Sequence, residues 1–313
     1  IRQLADSVTR KSAHLFQPTT AVLWDGGRGG DGAGENPRSG AAIDYWFREV
    51  PSTKVTLEVL DAQGALLRRF TSADSAETAD SLAHEPSDSI VTVRRGTNRF
   101  VWNLRTAGAS KLPNTVIDYG TLRGAWVPPG DYAVRLVAGT DTMTRRLTVT
   151  ADPRTTSTTA ELVAQYQAAR RSIDRIDQVV ATVKRVEDLQ AQIDDRLKRL
   201  TGGATADSAK SVRARLEAVR AELYEVGCHV DQCTLDMPTK LYNKFITLNM
   251  QLQSGSYAPT RQHGEMYETL AGQLERQLRL LETVEGDGLR RLNTQLEGAG
   301  LPALHLPPAK PIA

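Results

Sequence analysis

A glycine-rich stretch near the N-terminus, GGRGGDGAGENPRSG from Gly26 to Gly40, is the first candidate for chemistry. Gly27, Gly29 and Gly32 fit the G-x-G-x-x-G spacing, which cradles a phosphate where a strand leads into the glycines and a helix begins directly behind them. Here Pro37 and a strand-like segment follow instead of a helix. The stretch therefore predicts a flexible joint rather than a phosphate site.

The two cysteines, Cys228 and Cys233 in GCHVDQC, are the second candidate. Their close spacing could form a small disulfide, which would indicate an oxidising compartment. His229 and Asp231 lie between the cysteines and could serve as zinc ligands, but the chain has no second Cys or His pair with ligand spacing. The disulfide is the favoured interpretation, free structural thiols are the alternative, and neither a metal site nor a cofactor is predicted.

Acid–base groups are scattered along the chain. The histidines are His14, His84, His229, His263 and His305. None stands in a G-x-S-x-G or H-E-x-x-H motif, where a nucleophile or a metal would be activated. Asp194 and Asp195 could serve glycoside cleavage if they faced a cleft, but a charged helix face accounts for them. These residues predict no catalytic site in this chain.

Trp126, in GAWVPPG, is the candidate binding aromatic. It lies beside a predicted turn, where an exposed ring could contact a sugar or a partner protein. Packing within the sandwich or between domains is the other interpretation. Trp102, on an alternating strand, is expected in the core.

Composition describes a globular protein of 313 residues, enough for two domains. Its 39 basic and 37 acidic residues give a formal net charge of +2, so no bulk charge favours nucleic acid. No membrane span or signal peptide is visible. Because the chain starts at Ile1 without Met, we expect a mature chain or the C-terminal part of a longer protein, with any export signal upstream.

Apolar residues alternate with a period of two between residues 41 and 150. Strands are predicted in AIDYWF, SIVTVRRG, NRFVWNLR, GDYAVRLVAG and TMTRRLTVTAD, and KVTLEVLDAQGALLRRF predicts a hairpin with its turn at residues 61–64. About seven short strands at this spacing are typical of an immunoglobulin-like or fibronectin type III-like β-sandwich.

After residue 152 the apolar spacing becomes that of heptads. A first seam runs from Leu162 and slips near Val186, where the helix is expected to bend or to break. Further helices are predicted after Gly203, after Pro238 and around Met266, the last interrupted at residues 286–288. Short connections between them favour an up-down bundle.

The predicted fold is therefore all-β followed by all-α: an immunoglobulin-like β-sandwich and then an antiparallel helical bundle with long helices. Residues 1–40 form an N-terminal segment and Gly-rich linker, and residues 41–152 form the sandwich. Residues 153–300 form the bundle, and residues 301–313 form a Pro-rich tail.

The segments GENPRSGAAIDYWF, VTLEVLDAQGALLRRF, GTNRFVWNLR and VPPGDYAVRL carry a resemblance. They are similar to the C-terminal region of bacterial sortilin-like β-propeller proteins with Asp-box (BNR) repeats, often labelled glycosyl hydrolases. The resemblance continues through ADPRTTSTTAELVAQY and LNTQLEGAGLP. It implies that a large propeller precedes this region, while the Asp-box pattern S-x-D-x-G-x-x-W is absent here.

The function expected from these features is a non-catalytic, extracytoplasmic interaction or scaffold region accessory to such a propeller. Its expected partners are the upstream propeller, a partner subunit, a second copy of the chain or a glycan, with no nucleic acid and no membrane span. Secreted, periplasmic and cell-surface locations all fit. The alternative is a carbohydrate-binding or structural part of a glycan-degrading enzyme whose active site lies in the upstream propeller.

Overall fold

The structure, a computed structural model, describes residues 3–24, 39–72, 90–113, 115–117, 119–227 and 232–306. The chain forms two compact units. The strand unit takes in the residues up to Ala107, Ala125–Tyr166 and Ser256–Ala258, and the helical unit takes in Gly108–Gly124, Gln167–Gly255 and Pro259 onwards. Each unit is therefore assembled from separate stretches of the chain.

The strand unit contains two sheets among its described residues. Its strands are β1 (Ala13–Leu15), β2 (Ala21–Leu23), β3 (Ala41–Phe47), β4 (Val55–Leu60), β5 (Leu66–Thr71), β6 (Gly96–Trp102), β7 (Gly130–Ala138) and β8 (Asp141–Ala151), and a short helix, α1 (Asp6–Thr9), precedes them. The smaller sheet has the order β1-β3-β6, and the larger sheet has the order β2-β8-β7-β4-β5.

The predicted hairpin is confirmed as the antiparallel pair β4–β5. Asp61 shapes its turn, because its Oδ1 accepts hydrogen bonds from the backbone N–H groups of Gln63 at 3.0 Å and Ala65 at 2.8 Å. The strand predicted in SIVTVRRG is wrong, since only an isolated bridge forms there, at Ile90. Asn98 instead binds the backbone of Arg94 on both sides, at 2.9 and 2.8 Å.

Inward-facing side chains of both sheets form one hydrophobic core. Trp102 is fully buried, as expected, and its Nε1 donates a hydrogen bond to the carbonyl of Arg105 at 2.9 Å. Tyr132 meets the Trp102 ring edge to face, with ring centroids 6.0 Å apart. The polar atoms of this core are therefore satisfied locally, which allows the large rings to be buried.

Glu58 is a buried carboxylate on β4, and its side chain is 6% exposed. Arg69 on β5 and Arg135 on β7 lie opposite it in the ladder and donate to its two oxygens at 2.8 and 2.6 Å. Burial alone would raise the pKa of Glu58, but the bonds from Arg135 and Arg69 outweigh it and hold the pKa below its ordinary value. Three neighbouring strands are thus joined by one carboxylate.

The helices that follow are mostly longer than α1. They are α2 (Thr159–Leu197), α3 (Ala204–Leu223), α4 (Leu241–Leu252), α5 (Arg261–Thr283) and α6 (Leu289–Gly298). A short 3₁₀ turn, Cys233–Leu235, precedes α4, and a π-helical turn, Val284–Gly288, joins α5 to α6. The α-helix is therefore interrupted where the sequence predicts it, at residues 286–288, although a π-helical turn continues the chain there.

Helix α2 is continuous over 39 residues, so the predicted break near Val186 is wrong, and the alternative of a bend stays a prediction. A capping box begins it: Thr158 Oγ1 accepts from the N–H of Glu161 at 3.2 Å, and the Glu161 carboxylate accepts from the N–H of Thr158 at 2.7 Å. The apolar seam is confirmed as buried through Ile173, Ile176 and Val186. The buried stripe of α2 is wide enough to include the apolar residues on both sides of the slip in spacing.

The π-helical turn carries a largely buried carboxylate, Glu285, whose side chain is 9% exposed. Arg185 on α2 reaches it: Nη2 donates to Oε2 at 2.7 Å, while Nε lies 2.6 Å from Oε1 without hydrogen-bond alignment. Burial raises the pKa of Glu285; Arg185 opposes this, and Glu282 adds to the rise. The ion pair with Arg185 therefore does not fully offset the cost of burying the Glu285 carboxylate.

The predicted fold class is wrong, because the protein is a mixed α/β fold and not an immunoglobulin-like or fibronectin type III-like sandwich followed by a helical bundle. β2, from the predicted linker, pairs in parallel with β8, whereas immunoglobulin sheets are antiparallel. The helical unit includes Gly108–Gly124, from between β6 and β7, so it is not a bundle of helices alone. The spacing of apolar residues along the sequence does not indicate either of these long-range contacts.

Replacing Ile176, which is 0% exposed, by Asp should destabilise the helical unit by about 3–5 kcal/mol, because it buries a charge without a partner. The measurement is chemical denaturation followed by circular dichroism. Gln167→Asp, at an exposed position of the same helix, is the control and should change stability by less than about 0.5 kcal/mol. Equal stability of the two variants would contradict the buried seam.

Glu285→Gln should reveal a pH dependence. Because the folded state raises the pKa of Glu285, its contribution to stability is fully present below the unfolded-state pKa and is lost as pH rises through the folded-state pKa. The free energy of unfolding of the wild type, relative to that of the Gln variant, should therefore fall as the pH rises above the unfolded-state pKa of Glu, about 4, and through the raised folded-state pKa. A difference that rises with pH would contradict the assignment.

Candidate functional site

Several predicted site residues lie outside the described part of the chain. These are residues 26–38 of the glycine-rich stretch, and also Cys228 with His229 and Asp231. Cys233 is described and is buried, at 4% exposure. The predicted disulfide between Cys228 and Cys233 therefore lies partly outside the described residues and stays a prediction.

Trp126 packs against the core of the strand unit and is partly buried. The guanidinium of Arg105 lies over its ring, 3.8 Å from the ring centroid. The two residues also form an isolated antiparallel bridge. One ring face is thus occupied by the protein itself, which limits what Trp126 can offer to a ligand.

The carboxylates of Asp194 and Asp195 are each paired with arginine. Asp194 accepts from Arg213 on α3 at 2.6 Å, and Asp195 accepts from Arg196 at 2.8 Å. They therefore serve as ion-pair partners and do not converge on a cleft.

A groove in the helical unit brings together residues that no motif marked. It has a volume of about 510 Å³. Its lining consists of Tyr119, Thr239, Asn243, Lys244, Thr247, Leu248, Gln251, Gln262, His263 and Met266. The lining thus comes from one face of α4, the first turns of α5 and the segment before β7. We take this groove as the candidate functional site.

The segment that carries Tyr119 is fixed to α4 through the backbone. At Gly120, whose φ is +138°, a Cβ would come within 2.4 Å of Ile246 Cγ2 and 2.8 Å of its carbonyl carbon. The side chain of Thr247 donates to the carbonyl of Tyr119 at 2.9 Å, and Asn249 donates to that of Thr121 at 2.8 Å. Only glycine allows this approach, which sets the position of Tyr119 at the groove.

Tyr242 anchors the same segment further upstream. Its hydroxyl accepts a hydrogen bond from the N–H of Leu112 at 3.3 Å, and its ring meets that of Tyr224 edge to face. Burial raises the pKa of Tyr242 to about 12, although the bond from Leu112 acts in the opposite direction. The hydroxyl therefore stays protonated and serves as a structural anchor rather than as an acid or base.

The first turn of α5 is rigidly capped. Thr260 Oγ1 accepts from the N–H of His263 at 3.3 Å, and His263 Nδ1 accepts from the N–H of Thr260 at 3.2 Å. Histidine here takes the place of the usual Glu or Gln of a capping box. While the cap is formed, Nδ1 carries no proton, so a neutral His263 has its proton on Nε2.

Both apolar and polar groups are presented to the groove. Tyr119 and Met266 are 61% and 51% exposed, whereas Leu248 is buried at 4%. Asn243 is 7% exposed, and no hydrogen bond to its side chain forms within the described residues. Lys244 is exposed and has no ion-pair partner in this part of the chain. The site can therefore offer apolar contact, amide hydrogen bonds and one positive charge.

Sequence reasoning missed this site for a clear reason. Met266 was assigned to a buried heptad seam, yet its side chain is half exposed. The available signal was Asn243-Lys244 between the apolar residues Tyr242 and Phe245, because Asn is unfavourable inside a helix unless its side chain is used.

The described residues contain no group of three or more His, Cys, Asp or Glu side chains arranged to hold a metal ion. Among the described helices, none is both long and apolar enough to cross a membrane. Comparisons with protein-family models, curated proteins and solved structures find no match to the chain.

Gly120→Ala should destabilise the helical unit by about 1–3 kcal/mol, because the new methyl group would collide with the backbone of α4. Thermal unfolding measures this. Gly264→Ala is the matched control: no atom of a neighbouring element lies within 4 Å of its Cβ position, and it should stabilise α5 by up to about 1 kcal/mol. If both variants gain stability, the close approach at Gly120 does not exist.

Proposed function

We propose that this chain is a non-catalytic interaction module that holds an extended segment of a partner protein in the groove along α4. The observation that carries the proposal is the combination of half-exposed Tyr119 and Met266 with a largely buried Asn243 in a single groove. Exposed aromatic and methionine side chains are enriched in interfaces, where they supply most of the apolar contact.

The length of the groove fits a short extended peptide. Its lining runs along α4 from Asn243 to Gln251, which corresponds to roughly 12 Å at the rise of an α-helix. An extended peptide advances about 3.3 Å per residue, so about four residues fit along α4. Asn243 and Gln262 can hydrogen-bond the N–H and C=O groups of such a segment.

The groove lining is better suited to holding a ligand than to acid–base chemistry. Its only histidine, His263, uses Nδ1 in the helix cap, and none of the ten described lining residues is acidic. General acid–base catalysis needs a donor and an acceptor that converge on the reacting atom. The lining offers amide, hydroxyl and apolar contacts instead.

The wider role is an extracytoplasmic module accessory to a sortilin-like β-propeller, in which the upstream propeller or a partner subunit supplies the bound segment. The sequence resemblance supports this part of the proposal. A carbohydrate-binding accessory role is the second candidate, and the combination of Tyr119 with the amides of Asn243 and Gln262 favours it, because sugars are bound by such groups.

The proposal is tested by selecting a displayed library of random linear peptides on the immobilised full chain. Synthetic versions of the enriched peptides are then titrated by fluorescence anisotropy. Met266→Asp should weaken binding by about tenfold or more, because it places a charge at an apolar contact. Leu280→Asp is the matched control, since Leu280 is equally exposed on α5, at 54%, but does not line the groove.

Two outcomes would overturn the proposal. One is the absence of any enriched peptide. The other is equal loss of binding in the Met266 and Leu280 variants. Binding of soluble oligosaccharides that is lost in the Met266 variant, without peptide binding, would instead establish the carbohydrate-binding role.

A further inference from the structure

We infer that the groove recognises a carboxylate in the bound segment, next to an apolar side chain, and that the first turn of α4 is the end that binds this carboxylate. This inference rests on the proposed peptide-binding function. The inference adds the chemistry of the bound segment to that function: the segment is acidic and apolar, rather than basic or neutral.

The first turn of α4, a 12-residue helix, is buried at Leu241 and Tyr242 and borders the groove at Asn243. Lys240 occupies the N-cap position, and no side chain caps the helix there. The first N–H groups of a helix have no partners within the helix, and they lie at the positive end of its dipole. Thr239, Asn243 and Lys244, which flank this first turn, all line the groove.

Asn243 supplies a second, independent indication of a ligand. It is 7% exposed, lines the groove and receives no hydrogen bond to its side chain from the described residues. Its amide atoms are not among the buried unpaired atoms of the described residues, which are Arg185 Nε and Glu285 Oε1, so the amide reaches solvent at the groove. There it can donate to a carboxylate or to a backbone carbonyl of a ligand.

The charges along the groove favour the binding of an acidic ligand. Lys244 is a cation without a partner in the described residues, and the described lining contains no acidic residue that would oppose an anion. Glu265, on the first turns of α5, lies outside the lining and pairs with Arg261 at 3.4 Å. A carboxylate would pair with Lys244, whereas a basic group would meet the same charge.

Apolar contact lies further along the groove. Thr247, which binds the Tyr119 segment, is one helical turn after Asn243, and Met266 stands on α5. A side chain within one or two residues of the carboxylate would therefore reach the exposed Tyr119 and Met266. The carboxylate itself can come from an Asp or Glu side chain or from a C-terminus, and the two sources share this chemistry.

The test repeats the peptide selection on wild type and on Lys244→Glu, using the full chain. Wild type should enrich peptides with Asp, Glu or a free C-terminus beside an apolar residue. Lys244→Glu should lose these peptides and enrich Lys or Arg at the same position. For a selected peptide, replacing the acid by its amide should weaken binding by about tenfold. Comparing the same peptide with an amidated and with a free C-terminus distinguishes a C-terminal carboxylate from an Asp or Glu side chain.

Asn243→Leu separates a binding role from a structural one. Because the amide has no partner in the described part of the protein, removing it should leave the midpoint of thermal unfolding unchanged or higher, while the affinity for selected peptides falls several-fold. A variant that loses thermal stability in step with affinity would show that Asn243 is structural, and would overturn this role.

The outcomes distinguish the inference from the function on which it depends. If wild type enriches peptides without acids, and Lys244→Glu enriches the same ones, the carboxylate site is overturned while the peptide-binding function stands. If no peptide is enriched at all, both are overturned. Reversed charge selection, together with salt-sensitive binding of the acidic peptides, supports the inference.

Discussion

The close approach of the backbone at Gly120 to α4 is the constraint on which the groove depends. Backbone atoms of two elements meet there at a distance that excludes any Cβ. Hydrogen bonds from Thr247 and Asn249 then fix the segment on either side of the contact. Tyr119 is therefore placed by main-chain geometry and not by its own packing, which leaves its ring exposed to a ligand. A rigid support of this kind holds a contact residue ready and reduces the entropy lost on binding.

The polar groups of the helical unit fall into two classes. Most are satisfied by the protein: Ser172 donates to the carbonyl of Phe245 at 3.2 Å, and Arg175 pairs with Glu275 at 2.7 Å. Asn243 is different, because it is largely buried without a partner among the described residues. Arg185 Nε and Glu285 Oε1 are the buried side-chain atoms of the described residues that lack a hydrogen-bond partner, whereas the Asn243 amide lies at the groove, where a ligand can bind it.

The sequence predicts local elements far better than their assembly. The β4–β5 hairpin and the seam of α2 follow directly from periods of two and of heptads, because each period reports which face is buried. The three-residue strands β1 and β2 are too short to show a period, and the parallel pairing of β2 with β8 joins residues far apart in the sequence. The fold class was mispredicted for that reason. The groove was not predicted for the same reason, since Tyr119, Asn243 and Met266 come from three separate positions in the sequence that share no motif.

The π-helical turn between α5 and α6 controls the rotational phase of the final helix. An α-helix turns by about 100° per residue, and a π-helical turn accommodates one additional residue. Leu281 before it, Val284 within it, and Leu289, Leu292 and Leu296 after it are all buried. Both apolar stripes therefore face a core only because the extra residue restores their alignment. Deleting one residue here would rotate the stripe of α6 by about 100° towards solvent. The length of this glycine-containing turn is thus fixed by helical phase, although its composition suggests a tolerant hinge.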